Sequence, residues 1–248
     1  MGNLEKNNYG LVGKNIAYSF SEGYFAQKFK TLGLHGHSYK NFDLSRIEDF
    51  QELVAHTENL KGLNVTIPYK EAVIPYLHSL DKKAKKIGAV NTIRFTKKGL
   101  KGYNTDCYGF KKAIRPFLKK HHKKALILGT GGASKAVAFV FDALDIPFKF
   151  VSRMPSANQI GYHELAEETM KKYTVLVNCT PLGTYPKIEE KPALPYHLIT
   201  EKHLLFDLIY NPEKTAFLQE GEKQGAAISN GLRMLELQAE KAWEIWNS

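Results

Sequence analysis

Cysteine is scarce. Cys107 and Cys179 are the only two in 248 residues, too few for a disulfide framework or, by themselves, a zinc site, and this fits a reducing cytoplasm. No apolar run approaches the roughly 20 residues of a membrane span. Residues 1–8 are polar and lack the apolar core of a secretory signal, so neither membrane nor export is expected. Internal repeats beyond strand and helix alternation are missing, as are low-complexity segments.

What is present is an ordinary globular balance, 43% hydrophobic and 24% charged, in a chain long enough for one large domain or two modest ones. The formal charge of +10 leaves anionic ligands and nucleic acid as candidate partners. Basic residues cluster at 82–86 and 119–124, but neither cluster is interleaved with aromatics as a base-stacking surface would be. Solvated loop or helix faces are therefore expected there, and nucleic-acid binding is not.

The chain is organised around residues 124–137. Ala125 to Leu128 reads as a buried strand, stopped by Gly129, Gly131 and Gly132; Ala133, Ala136, Val137, Val140 and Phe141 then recur at helical spacing. Strand, glycine turn and helix form the phosphate-binding layout of a βαβ unit, although a simple tight turn reads the same way. Ser134 stands where the third glycine of the G-x-G-x-x-G pattern would be. A second strand is expected over 148–151. About 20 residues past the glycines, where an NAD site places an acid on the ribose, stands Ser152-Arg153 instead, which suits a 2′-phosphate and so NADP.

Upstream, strands are expected over 9–13, 37–42 and 89–93, the last followed by a hairpin turn at 96–99. Ser19 and Ser21 bracket a helix start; Ser21 reads as its N-cap, or the pair as a carboxylate site. Across 63–67, alternation sends Leu63, Val65 and Ile67 to one side and Asn64 and Thr66 to the other. Pro68 then opens a helix at its first turn, so Asn64, Thr66 and Lys70 face one cleft or Lys70 is a surface lysine. Asp106 caps the following helix or acts in chemistry. Later strands are expected over 175–177 and 204–208, and a long final helix carries Trp243 and Trp246, read as packing.

Nine ordered blocks together resemble the shikimate dehydrogenase family: Gly10-Leu11-Val12-Gly13, Ser19-x-Ser21, Asn64-Val65-Thr66-Ile67-Pro68-x-Lys70, Gly88-Ala89-Val90-Asn91-Thr92, Gly102-x-Asn104-Thr105-Asp106, Gly129-x-Gly131-Gly132-Ala133-Ser134, Asn178-x-Thr180-Pro181-x-Gly183, Asp207-x-x-Tyr210-x-Pro212 and Asn230-Gly231-x-x-Met234-Leu235-x-x-Gln238. The resemblance implies an α/β fold, with an amino-terminal substrate domain over 1–106 and 231–248 and a Rossmann-like dinucleotide domain over 107–230. It implies NADP-dependent reduction of 3-dehydroshikimate to shikimate, in the pathway to chorismate and aromatic amino acids. Lys70 and Asp106 would be the catalytic pair. Ser19, Ser21 and Tyr210 would hold the substrate carboxylate, and Asn64, Thr66, Asn91 and Gln238 its hydroxyls. Cofactor contacts would fall to Gly129, Thr130, Gly131, Gly132, Ala133, Ser134, Ser152, Arg153, Thr180, Gly231 and Met234. The expected partners are the small-molecule substrates, with the chain a monomer or homodimer.

Three departures from the family pattern stand out. A His-Ser-x-Ser-Pro motif becomes Tyr18-Ser19-Phe20-Ser21-Glu22, which adds a negative charge beside an anion site. A second arginine expected beyond Arg153 is replaced by Ala157, and losing one charge-assisted bond of about 1.5–3 kcal/mol would relax the preference for NADP. The chain is also short for the family, as trimmed loops would make it. An NAD-dependent quinate or quinate/shikimate dehydrogenase is the alternative enzyme, and a non-catalytic shikimate- or dinucleotide-binding homologue the alternative outside enzymes.

Overall fold

A computed structural model describes residues 6–17 and 19–248; Tyr18 and the first five residues lie outside the described set. The chain divides into two compact units, Met1–Thr105 with Ala239–Ser248, and Asp106–Gln238.

In the first unit β1 (Asn7–Gly13), α1 (Phe20–Thr31), β2 (His37–Asp43), α2 (Phe50–His56) and β3 (Leu60–Val65) alternate. The short helix α3 (Tyr69–Ala72), β4 (Ser79–Leu80), α4 (Lys82–Ile87) and the hairpin of β5 (Thr92–Thr96) and β6 (Gly99–Tyr103) follow. The six strands lie in the order β2-β1-β3-β5-β6-β4. β1 is parallel to both its neighbours, whereas β5 is antiparallel to β3 and β6. Alternate side chains of β1 feed two cores, as a period of two requires. Tyr9 and Leu11 join Phe25, Phe29 and Trp246, while Val12 joins Leu63, Val65 and Ile93.

The second unit holds α5 (Asp106–Ile114), β7 (Ala125–Leu128), α6 (Gly132–Asp142), β8 (Phe148–Ser152), β9 (Gln159–Gly161), α7 (Glu167–Lys172) and β10 (Val175–Asn178). β11 (Leu204–Asp207), α8 (Ala216–Lys223), β12 (Ala227–Ser229) and α9 (Leu232–Trp246) complete the chain, the last running on into the residues of the first unit. All six strands are parallel, in the order β12-β11-β10-β7-β8-β9. Counted from β7 this is 3-2-1-4-5-6, the doubly wound dinucleotide-binding order, with the switch point between β7 and β10. Its central strands are wholly buried, as near-continuous apolar runs covered on both faces must be.

Several local expectations are corrected. Ser19, not Ser21, caps α1, since its Oγ accepts from the Ser21 amide at 3.2 Å. Ile67 does not continue the buried alternation: β3 ends at Val65, and Ile67 is 65% exposed. The run 89–93 becomes strand only from Thr92. Pro68 occupies the cap position of α3 rather than its first turn.

Candidate active site

The glycine turn is built as its sequence requires. β7 ends in Gly129 at φ +99°, a left-handed region that favours glycine, and the Gly129 amide donates to the Val151 carbonyl at 2.9 Å. Thr130 leads to Gly131, the N-cap residue of α6, where an added Cβ would meet no protein atom, so open space lies in front of this backbone. The first amides of α6, at Gly132 and Ala133, have no intrahelical acceptor and carry the positive end of an eleven-residue helix dipole. That cradle fits a pyrophosphate. Ser134 is fully buried, its Oγ donating to the Gly131 carbonyl at 2.6 Å, so this small residue packs where a third glycine would.

At the end of β8 the Ser152 hydroxyl bonds the backbone of Met154 through both N and O, at 3.2 Å each. Arg153 is exposed and makes no ion pair among the described residues. The polar turn after β10 rests on a buried network. Asn178 Oδ1 accepts from the Thr180 amide and hydroxyl, and its Nδ2 donates to Asp207 Oδ1 at 3.0 Å. Asp207 also accepts from the Ile209 amide and, at 2.6 Å, from the Thr215 hydroxyl. Burial is the largest influence on this carboxyl and pushes it up from 3.8 to about 6, against the pull of its three donors. The network therefore holds Thr180 against the glycine turn, with Thr180 Cγ2 only 3.1 Å from where a Cβ on Gly129 would stand.

Gly231 is a glycine for a different reason, because any Cβ there would run into the Leu208 backbone. Met234 and Gln238 are buried on α9, and Gly109 of α5 leaves room for both, since a Cβ there would press on the Met234 carbonyl and Gln238. Asp106, also buried, is the first residue of α5. Tyr210 is half-buried beyond β11.

In the first unit the structure joins several of the expected residues through one that sequence reading missed. Tyr39 of β2 is buried; its phenol donates to Asn64 Oδ1 at 2.8 Å and is hydrogen-bonded by the Ser21 hydroxyl. Desolvation pushes this phenol well above the ordinary tyrosine range, with Ser21 opposing and Glu22 adding to the rise. Asn64 Nδ2 is committed to the Asn91 carbonyl and Thr92 Oγ1. Asn91 in turn holds Thr105, receiving its amide at 2.7 Å and donating to its hydroxyl at 2.9 Å. Ser21, Asn64 and Asn91 thus belong to one chain of buried polar contacts, with Thr92 and Thr105 as further members. Tyr39 is the one buried residue of β2, and the residue types of that strand carry no clear alternation that would single it out. Glu22 is exposed and accepts from Asn41 Nδ2 at 2.7 Å. Thr66 and Lys70 are half-buried, and α3 is anchored by the Tyr69 hydroxyl on the Leu44 carbonyl and by Val90 N on the Lys70 carbonyl. Ser19 is half-buried at its cap, and Tyr18 lies outside the described residues.

Residues 11–93 match the model of the shikimate dehydrogenase substrate binding domain. A relative from Clostridium beijerinckii, named shikimate dehydrogenase (NADP(+)), is 38% identical over 96% of this chain and 91% of its own. The chain belongs to the shikimate dehydrogenase family. Shikimate dehydrogenase 1 from Peptoclostridium difficile superposes with a TM-score of 0.85 at 37% identity, covering 97% of this chain and 91% of that one. The Thermus thermophilus enzyme, solved in complex with NADP(H) and shikimate, gives 0.85 at 30% identity over 97% and 93%. Both units are therefore shikimate dehydrogenase in fold, and the doubly wound order of the second is the Rossmann-like half expected from the glycine turn. Among the described residues no helix is long and apolar enough to cross a membrane.

Proposed function

We propose that this chain catalyses the NADP-dependent, reversible reduction of 3-dehydroshikimate to shikimate. The observation that carries the reading is family likeness along both units, with Lys70, Asp106 and the glycine turn all retained. When bound, the cofactor supplies a hydride to the ketone carbon, or takes one from the alcohol. Charge then develops on the ring oxygen, and a cation or donor must wait there. Lys70 stabilises that oxygen electrostatically and delivers its proton, while Asp106 orients the lysine and bonds the neighbouring hydroxyl.

Ser19 and Ser21 hold the substrate carboxylate, joined by Tyr210. Thr66, Asn91 and Gln238 read hydroxyls. Asn64 contributes through the remaining acceptor capacity of its Oδ1, because its Nδ2 is already engaged. Gly129 to Ser134 cradle the pyrophosphate with Thr180 and Gly231 alongside; Ser152 and Arg153 meet the 2′-phosphate, and Met234 flanks the nicotinamide. We assign substrate binding to 1–106 with 231–248 and cofactor binding to 107–230, and the reaction to the cytoplasm, which the low cysteine content supports.

One observation keeps a second reading in view. Ala157, exposed, stands where a second arginine is expected, so NAD-linked oxidation of quinate is the competing activity. Initial rates with shikimate and quinate, each with NADP and NAD, decide between them. Preference for shikimate with NADP is expected; activity mainly with NAD or quinate supports the competitor, and none with any pair, in folded protein, supports a binding homologue.

A further inference from the structure

A cavity of about 570 Å³ lies within the second unit, and none of the residues assigned to the reaction is among those that line it. Tyr108 and Lys112, four residues apart on one stripe of α5, form one wall, and Arg233 and Leu237, equally spaced on α9, form the other. Ala113, Pro116 and Phe117 add apolar surface. The lining contains two cations and no acid. Of its other polar members, Ser229 donates to the Asn230 carbonyl and Asn230 Nδ2 to the Glu213 carbonyl.

The segment that carries Lys112 is one-sided in charge. From Lys111 to Lys124 it holds seven lysines and arginines and no Asp or Glu, and of the seven Lys112 lines the cavity. None of the seven makes an ion pair among the described residues. Arg233 does pair with Glu236 at 3.0 Å, but that contact is exposed and uses one side of a guanidinium with five donors. A volume of this size lies in the range of small-molecule sites, where apolar walls supply contact and a few charges fix orientation.

We propose that this cavity is a second ligand site, taking a small aromatic carboxylate of one or two rings. The ring lies against Phe117, Pro116 and Leu237, and the carboxylate is held by Lys112 and Arg233. The inference does not depend on the proposed reaction. Its lining does not include Asp106, Gly231, Met234, Gln238 or the glycine turn, and simultaneous occupancy with cofactor and substrate is part of the test.

Calorimetric titration of the full chain with 2-naphthoate tests it, using neutral 2-naphthamide as control. Saturable one-to-one binding is expected, retained in the presence of saturating NADP and shikimate. Charge-assisted bonds of the usual strength make the amide, and a Lys112→Glu/Arg233→Glu variant, bind roughly 10-fold or more weakly. Both substitutions are at exposed positions, and an unchanged melting temperature verifies that the variant is folded. The proposal fails if no saturable binding is seen, if NADP or shikimate displaces the probe, or if charge reversal leaves the affinity unaltered.

Discussion

Asp207 offers a sharp electrostatic test of the support beneath the cofactor turn. Burial raises its carboxyl from 3.8 to about 6 even though Asn178, Ile209 and Thr215 all donate to it. At roughly 1.4 kcal/mol per pH unit, ionising it in the fold rather than in the open chain costs about 3 kcal/mol. Because the folded value is the higher one, this stability is fully present below 3.8 and lost as pH rises through about 6. Asp207→Asn keeps the shape, lets an amide oxygen accept from Asn178 Nδ2 and the Ile209 amide, and removes the titration. Urea unfolding of both proteins at pH 7 and pH 4 should show the wild type gaining about 2 kcal/mol on the variant at the lower pH. Histidines titrate equally in both proteins and drop out of the difference. A gap that stays constant between the two pH values would mean Asp207 ionises normally, and the account of the network would be wrong.

Other expectations follow from particular contacts. Burial lowers His122 and His203 below the ordinary 6.5, so the fold binds fewer protons than the open chain there; stability should fall as pH drops below about 6.5, and His203→Gln should flatten that slope in urea titrations. Gly129→Ala forces a side chain into φ +99° and against Thr180, a strain of about 1–3 kcal/mol; the melting temperature should drop and NADP titrations weaken, and wild-type values for both would contradict the turn's role. Gly62→Ala would drive a Cβ into the Trp246 indole, whose Nε1 donates to the Ile93 carbonyl at 3.0 Å. Overpacking of this kind costs about 1–3 kcal/mol, read as a lower urea midpoint of tryptophan fluorescence.

The parallel sheet of the second unit was largely legible, because buried parallel strands are written as unbroken apolar runs and the glycine turn punctuates the first of them. Short strands were not: β4, β9 and β12 have two or three residues, too few for any periodicity to register. Ser19 and Ser21 are equally able to cap, and only the backbone of α1 decides that Ser19 does so. Alternation misplaced Ile67 because nothing in residue type says that β3 stops at Val65. In the site, Lys70 and the glycines were recognisable as a pattern. Tyr39 was not, since its importance comes from a hydrogen bond to Asn64, 25 residues further along the chain. Likewise Asn178, Asp207 and Gly231 could be quoted as motif residues, but a buried carboxyl held by three donors and a close backbone approach are facts of tertiary packing.

The most direct test of the proposed chemistry is label transfer. Shikimate deuterated at the carbon that becomes the ketone, incubated with NADP, should yield reduced cofactor carrying deuterium. Lys70→Ala should bind shikimate with similar affinity yet lose most of this transfer, in line with the roughly 10²–10⁴-fold contribution of a positioned proton donor. Unlabelled or absent reduced cofactor from folded wild-type protein would contradict the assigned reaction, and undiminished transfer in Lys70→Ala would remove the lysine from it.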